Sequence, residues 1–302
     1  IQNWTFLMTN SWANEPNGNL LIDAEWLNNN IDDPNLRIFD CTTRLIPDDK
    51  LGYRIEDARE NWAAGHIHGS GYLNCQNDMC DTSSKFRFML SAPHEFARSV
   101  GSLGIGDDTK VVLYSTAELF WATRAWWALY ANGFDNAVIL NGGLQEWINS
   151  GHPISTGPCK YPETTFTPKR RNEVIVDKNQ VLSSIDDQKI CLINALSEEQ
   201  YQGTGGMVFG RPGHIPGSGN APYSVLANFS TGTLNDPDSV KSAFEKSGAI
   251  KDDKIINYCG GGISATIGFF AQKLLGYENI ALYDASMQEW GFDETLPIET
   301  GK

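Results

Sequence analysis

The residues best suited to covalent chemistry in this 302-residue chain are Cys259 and the run behind it, Gly260-Gly261-Gly262-Ile263-Ser264-Ala265-Thr266. An apolar segment, 255–258, precedes the cysteine, and an apolar helical pattern follows the glycines. A thiol directly after a buried strand stands at the carboxyl edge of a sheet, where open α/β folds bind ligands. Glycines remove the Cβ atoms that would block a tight loop and let backbone N–H groups turn inward. Ser264 is read as the N-cap of the next helix. Donors gathered at a helix N-terminus favour thiolate over thiol and stabilise an anionic persulfide, Cys–S–S⁻. The competing reading is a small buried core thiol, which gives the glycine run no role.

The elements that must position this loop come from a duplication. Residues 65–71 read GHIHGSG and 213–219 read GHIPGSG; 107–114 read DDTKVVLY and 252–258 read DDKIINY; QEW occurs at 145–147 and again at 288–290. The three matches keep their order, as a repeated domain requires. Apolar runs at 36–39, 111–114 and 137–140 in the first copy, and 190–193, 255–258 and 280–283 in the second, read as buried strands of a parallel sheet. Helical patterns lie between them. One begins at Pro93 with Phe96, Val100 and Leu103 on a face; its counterpart has Asp236 as N-cap, then Pro237, Val240 and Phe244. A third pair covers 122–130 and 264–275. The expected organisation is a first α/β domain over 1–155, a Pro/Thr/Lys-rich linker over 156–172 and a second α/β domain over 173–302. Ser115 takes the place of Cys259 in the first copy, and Thr116-Ala117-Glu118-Leu119 supplies no glycines. The first domain is therefore expected to be catalytically silent and to shape the cleft.

These residues resemble the tandem-domain rhodanese family of thiosulfate and 3-mercaptopyruvate sulfurtransferases. The likeness runs from about residue 21 to 290. It is carried by Gly65-His66-Ile67, the 84–90 segment with Met89, Leu140-Asn141-Gly142-Gly143, Gly213-His214-Ile215-Pro216-Gly217, the Cys259 loop, and Tyr283-Asp284 running to Trp290. The resemblance implies two parallel sheets flanked by helices and a persulfide carried by a cysteine at the bottom of an interdomain cleft. It also implies a small sulfur donor and a thiophilic acceptor such as cyanide, a thiol or a protein thiol. The loop is nearer the Cys-Gly-Ser/Thr-Gly of mercaptopyruvate members than the cationic loop of thiosulfate members, although Gly261 replaces the hydroxyl residue. Relatives carry Asp-x-Arg after the first strand of the catalytic domain. Here Asn194-Ala195-Leu196 stands there, so the substrate-binding arginine is missing. Arg211 is the nearest replacement, and His66 the residue of the first domain placed to face the cleft. Phosphatases on this fold use Cys-x5-Arg; Ala265 occupies the arginine position, which argues against phosphoryl chemistry.

The remaining composition limits partners. A formal charge of −14 disfavours nucleic acid and anionic membranes. No apolar run approaches the roughly 20 residues of a membrane span. Six cysteines are too sparse for a disulfide scaffold, and Cys75 and Cys80 lack a second pair at zinc spacing, so no metal and no cofactor is expected. Cys41 and Cys191 read as buried core thiols. The glycines at 203, 205, 206 and 210 are not followed by Lys-Ser/Thr and read as a flexible segment over the cleft rather than a nucleotide loop. The cytoplasm is the expected compartment; the periplasm stays open because the chain starts at Ile1. A different class of function, a sulfur relay or binding module acting with a protein donor or acceptor, also fits a reactive Cys259 without its arginine.

Overall fold

The computed structural model describes residues 11–48, 52–116, 118–251 and 253–301. Residues 49–51, Ala117, Asp252 and the chain ends at 1–10 and 302 lie outside the described residues. Each copy forms one five-stranded, all-parallel sheet. In the first, the strands lie in the order Leu21–Ile22, Ala137–Leu140, Lys110–Tyr114, Leu36–Asp40 and Gly71–Tyr72. In the second the order is Ile175–Val176, Ile280–Tyr283, Lys254–Tyr258, Ile190–Asn194 and Gly219–Asn220. The same element takes the same sheet position in both copies, and the central strand is the one that leads into Ser115 or Cys259. Both central strands are buried apart from their first residues, as unbroken apolar runs require.

The repeated motifs have a shared structural cause. In each copy the Gly-His-Ile turn is tied to the tyrosine that ends the central strand. Ser70 Oγ lies 2.9 Å from the Tyr114 hydroxyl, and Ser218 Oγ lies 2.6 Å from that of Tyr258. The repeated tryptophans fasten the ends of the domains, Trp147 Nε1 donating to the Pro153 carbonyl and Trp290 Nε1 to that of Pro297. Helix starts follow the sequence signals. Asp236 accepts from the Ser239 N–H, and Asp177 forms a capping box with Gln180.

The two domains meet through the helices Phe120–Ala131 and Ala265–Leu274. Each is apolar almost all round, because one side faces its own sheet and the other faces the partner helix. Trp126 and Phe270 meet edge to face at 4.8 Å, and the hydroxyls of Thr123 and Thr266, equivalent positions of the repeat, lie 2.8 Å apart. Residues 156–172 run as a strap across the first domain. Tyr161 accepts from the Ile38 N–H and donates to the Gly69 carbonyl, while Arg171 pairs with Asp135 at 2.7 Å over the Tyr130 ring. An antiparallel hairpin, Thr43–Asp48 with Gly52–Asp57, is an addition for which the apolar runs gave no sign. Cys41 is buried as expected; Cys191 is only half-buried, since it lies near the start of its strand.

Candidate active site

Cys259 leaves the central strand of the second sheet and is 1% exposed. Its loop is held from behind by the next strand–helix turn. The Cys259 N–H donates to Ser286 Oγ at 3.1 Å, the Met287 N–H to the Cys259 carbonyl at 3.0 Å, and the Gln288 N–H to the Gly260 carbonyl at 2.7 Å. Ser286 has φ 52°, a left-handed value that costs a non-glycine residue on the order of 1 kcal/mol or more. The equivalent residue of the first copy is Gly143, with φ 54°. The turn itself therefore demands that conformation. Serine takes it in the second copy and supplies the hydroxyl that fixes Cys259.

Among the described residues, the backbone N–H groups from Gly260 through Ala265 donate to no protein acceptor. All of these residues except Ser264 are buried. Buried donors without partners are rare enough to need an explanation. A run of them directly after a cysteine, at the start of a helix, forms an anion cradle. The three glycines contribute unequally. A Cβ on Gly262 would lie 2.3 Å from the Asp284 carbonyl oxygen, and its φ is +74°. A Cβ on Gly260 would lie 2.1 Å from Phe209 Cζ, because that ring covers the loop. On Gly261 the nearest atom would be Gln288 Nε2 at 3.4 Å, an ordinary contact. Gly262→Ala is therefore expected to cost more than tenfold in turnover, whereas Gly261→Ser should fold and turn over within a few-fold of the parent. Steady-state rates of the two variants check this ordering, and equal losses would contradict it.

Several expectations need correction. Ser264 occupies the cap position but has αR geometry and makes no capping bond. The helix instead begins through a tight turn in which the Thr266 N–H and hydroxyl both donate to the Ile263 carbonyl. His66 does not face the cleft. It is buried, stacked on Trp62 at 4.6 Å with Nδ1 2.8 Å from the Trp62 carbonyl. His214 repeats the arrangement on Tyr201, so both histidines hold the same turn. Arg211 borders the groove beside the loop, yet its guanidinium donates to the carbonyls of Gly291, Leu296, Trp290 and Asp293. It fastens the C-terminal turn and has one N–H left for a substrate. Leu196 lines the same groove with Met207, Val208, Phe209 and Met287, which makes that wall apolar. The glycine-rich segment does lie over the loop, placed there by Phe209 and by the Gln200 amide bonding the Met207 carbonyl.

The first copy lacks such a cradle for a definite reason. Thr42 and Leu196 are equivalent, each N–H donating to the side chain two residues back, Asp40 or Asn194. The Thr42 hydroxyl accepts from the Thr116 N–H at 2.8 Å and so fills the loop that Leu196 leaves open in the second copy. Ser115 Oγ is itself spent on the Glu118 carbonyl. Ser115→Cys should therefore gain no cyanide-releasable sulfur. Labelled sulfur released from position 115 of that variant would overturn this account of the asymmetry.

Sequence reasoning missed the interdomain clamp. Arg124, 1% exposed, donates from Nη1 to Asp284 Oδ1 at 2.6 Å and to the Gly262 carbonyl at 3.0 Å, and from Nη2 to the Phe88 carbonyl. Burial acts to lower its pKa, but the Asp284 carboxylate outweighs burial and holds the charge. The second oxygen of Asp284 accepts from the Leu90 N–H, and the Gln288 amide brackets the backbone N–H and carbonyl of Arg87. An arginine inside an otherwise apolar helix was the available signal.

Both halves of the molecule thus carry one fold, and only the second completes a cysteine cradle. The chain belongs to the rhodanese family: the rhodanese-like domain matches residues 23–150 and 177–292. It is 31% identical to the 3-mercaptopyruvate sulfurtransferase of Escherichia coli (strain K12), over 93% of this chain and 98% of that protein. It is 30% identical to the thiosulfate sulfurtransferase of Gallus gallus, over 90% of this chain and 93% of the relative. Among solved structures it is similar to SseA from Escherichia coli, described as a 3-mercaptopyruvate sulfotransferase, with TM-score 0.77 and 29% identity over 88% of this chain and 98% of that one. These homologues support sulfurtransferase activity.

Proposed function

We propose that the protein moves a sulfane sulfur from 3-mercaptopyruvate to a thiophilic acceptor through a persulfide on Cys259. The unpaired N–H run from Gly260 to Ala265 carries this reading. The Cys259 thiolate attacks the donor sulfur, an S–S bond forms and the donor's C–S bond breaks. The organic fragment leaves as the enolate of pyruvate and takes a proton from solvent. The Cys–S–SH product ionises, and the loop donors hold the resulting anion. An acceptor such as cyanide then attacks the outer sulfur, leaves as thiocyanate and returns the thiolate.

The choice of donor rests on charge. The loop contributes no side-chain cation. Thiosulfate brings two charges, and desolvating the second without a partner is costly. Mercaptopyruvate brings one carboxylate. Steady-state assays with both donors, against cyanide and a thiol, should give a kcat/KM at least tenfold higher for 3-mercaptopyruvate. A preference for thiosulfate would overturn the donor assignment. One feature favours a protein acceptor as a second reading: Val208 and Phe292, which flank the Phe209–Gly291 contact at the groove, are 50% and 69% exposed. Transfer to a protein thiol exceeding transfer to small thiols at equal concentration would select it.

A further inference from the structure

With Leu196 in the place of an arginine and Arg211 tied to carbonyls, the cleft needs another cation if it is to hold a carboxylate. Arg87 sits on the segment of the first domain that packs against the Cys259 loop. Its backbone N–H donates to Gln288 Oε1 at 3.0 Å and its carbonyl accepts from Gln288 Nε2 at 2.9 Å. Gln288 in turn donates its own N–H to the Gly260 carbonyl, and its side chain lies against Gly261. Arg87 is thus one residue removed from the cradle.

The backbone around it is forced into shape. Phe88 has φ 60°, and its N–H and carbonyl are held by Gln76 and by Arg124. Strain held by surrounding bonds is characteristic of segments that present a side chain. The Arg87 guanidinium lies 4.6 Å over the Tyr53 ring and donates from Nη1 to the Tyr53 carbonyl at 2.7 Å. Among the described residues no carboxylate lies within 4.0 Å of it; its partners are the Tyr53 carbonyl and the Tyr53 side chain, both on one residue. Burial raises the Tyr53 pKa and Arg87 opposes it, with a smaller electrostatic contribution from Cys259. Tyr53 belongs to the added hairpin, so hairpin and cation are braced on each other.

We infer that Arg87, supplied by the silent domain and braced on Tyr53, binds the carboxylate of the sulfur donor beside Cys259. The inference rests on the sulfurtransferase reading and names the cation that reading requires. A planar guanidinium with five N–H groups suits the role, since it can keep its brace and hold a carboxylate at once.

The test compares Arg87→Met and Arg87→Lys with the parent. Arg87→Met keeps an apolar stem over Tyr53 and should raise KM for 3-mercaptopyruvate about 10- to 100-fold, the range for losing a charged hydrogen bond, with a smaller change in kcat. Arg87→Lys should recover part of it. A second readout uses no donor: the rate of Cys259 alkylation by anionic iodoacetate relative to neutral iodoacetamide. That ratio should fall several-fold in Arg87→Met, while the iodoacetamide rate holds. A purely structural arginine would leave the ratio unchanged, and an unchanged ratio with unchanged KM overturns the inference. If instead the parent's Cys259 reacts with neither reagent and takes up no sulfur, the persulfide reading itself has failed.

Discussion

Cys259→Ser should lose turnover by more than about a thousandfold with every donor while keeping its fold. A serine hydroxyl is not ionised near neutrality and cannot hold a sulfane sulfur. Neither His66 nor His214 is free to activate it, since both are committed to their turns. The fold should survive because the bonds that fix position 259 run through its backbone N–H and carbonyl, to Ser286 and Met287. Burying a hydroxyl in place of a thiol costs about 1–2 kcal/mol at most. Thermal melts and steady-state rates check the two halves of this expectation. Residual turnover above a few per cent would place the chemistry elsewhere.

Arg124→Met should destabilise the protein by about 3–5 kcal/mol, because it leaves the Asp284 carboxylate buried without its counter-charge. The effect should be seen in the urea midpoint, and activity should fall with it, since the same guanidinium holds the Gly262 and Phe88 carbonyls on either side of the cleft. Adding Asp284→Asn should restore much of the stability. The molecule already contains the neutral version. In the first copy Asn141 replaces Asp284 and accepts from the Leu234 N–H, just as Asp284 accepts from Leu90, and Ile267 stands where the matching arginine would be. A loss below about 1 kcal/mol, or no recovery in the double variant, would mean that the pair is not the clamp.

The duplication and the strands were legible because apolar runs and repeated turns report local packing. The Pro93 helix could be read from its proline start and apolar spacing, and the Pro237 helix from its Asp236 cap as well. Cys259 was legible through its glycines. His66 and Arg211 stood only as candidates, because a sequence shows what a residue could do but not which carbonyls have taken its donors. Ser264 failed similarly: its type suited a cap that Thr266 made unnecessary. The roles of Arg124, Asp284, Gln288 and Arg87 could not be read because they depend on how the two domains pack, at separations such as 160 residues from Arg124 to Asp284. The hairpin bearing Tyr53 lies on the rim, so its alternation left no apolar run to notice.

Intact-protein mass spectrometry after exposure to 3-mercaptopyruvate tests the central claim most directly. The account predicts a single added sulfur, mapped to Cys259, discharged by cyanide and absent from Cys259→Ser. No added sulfur, or sulfur on another of the six cysteines, would contradict it.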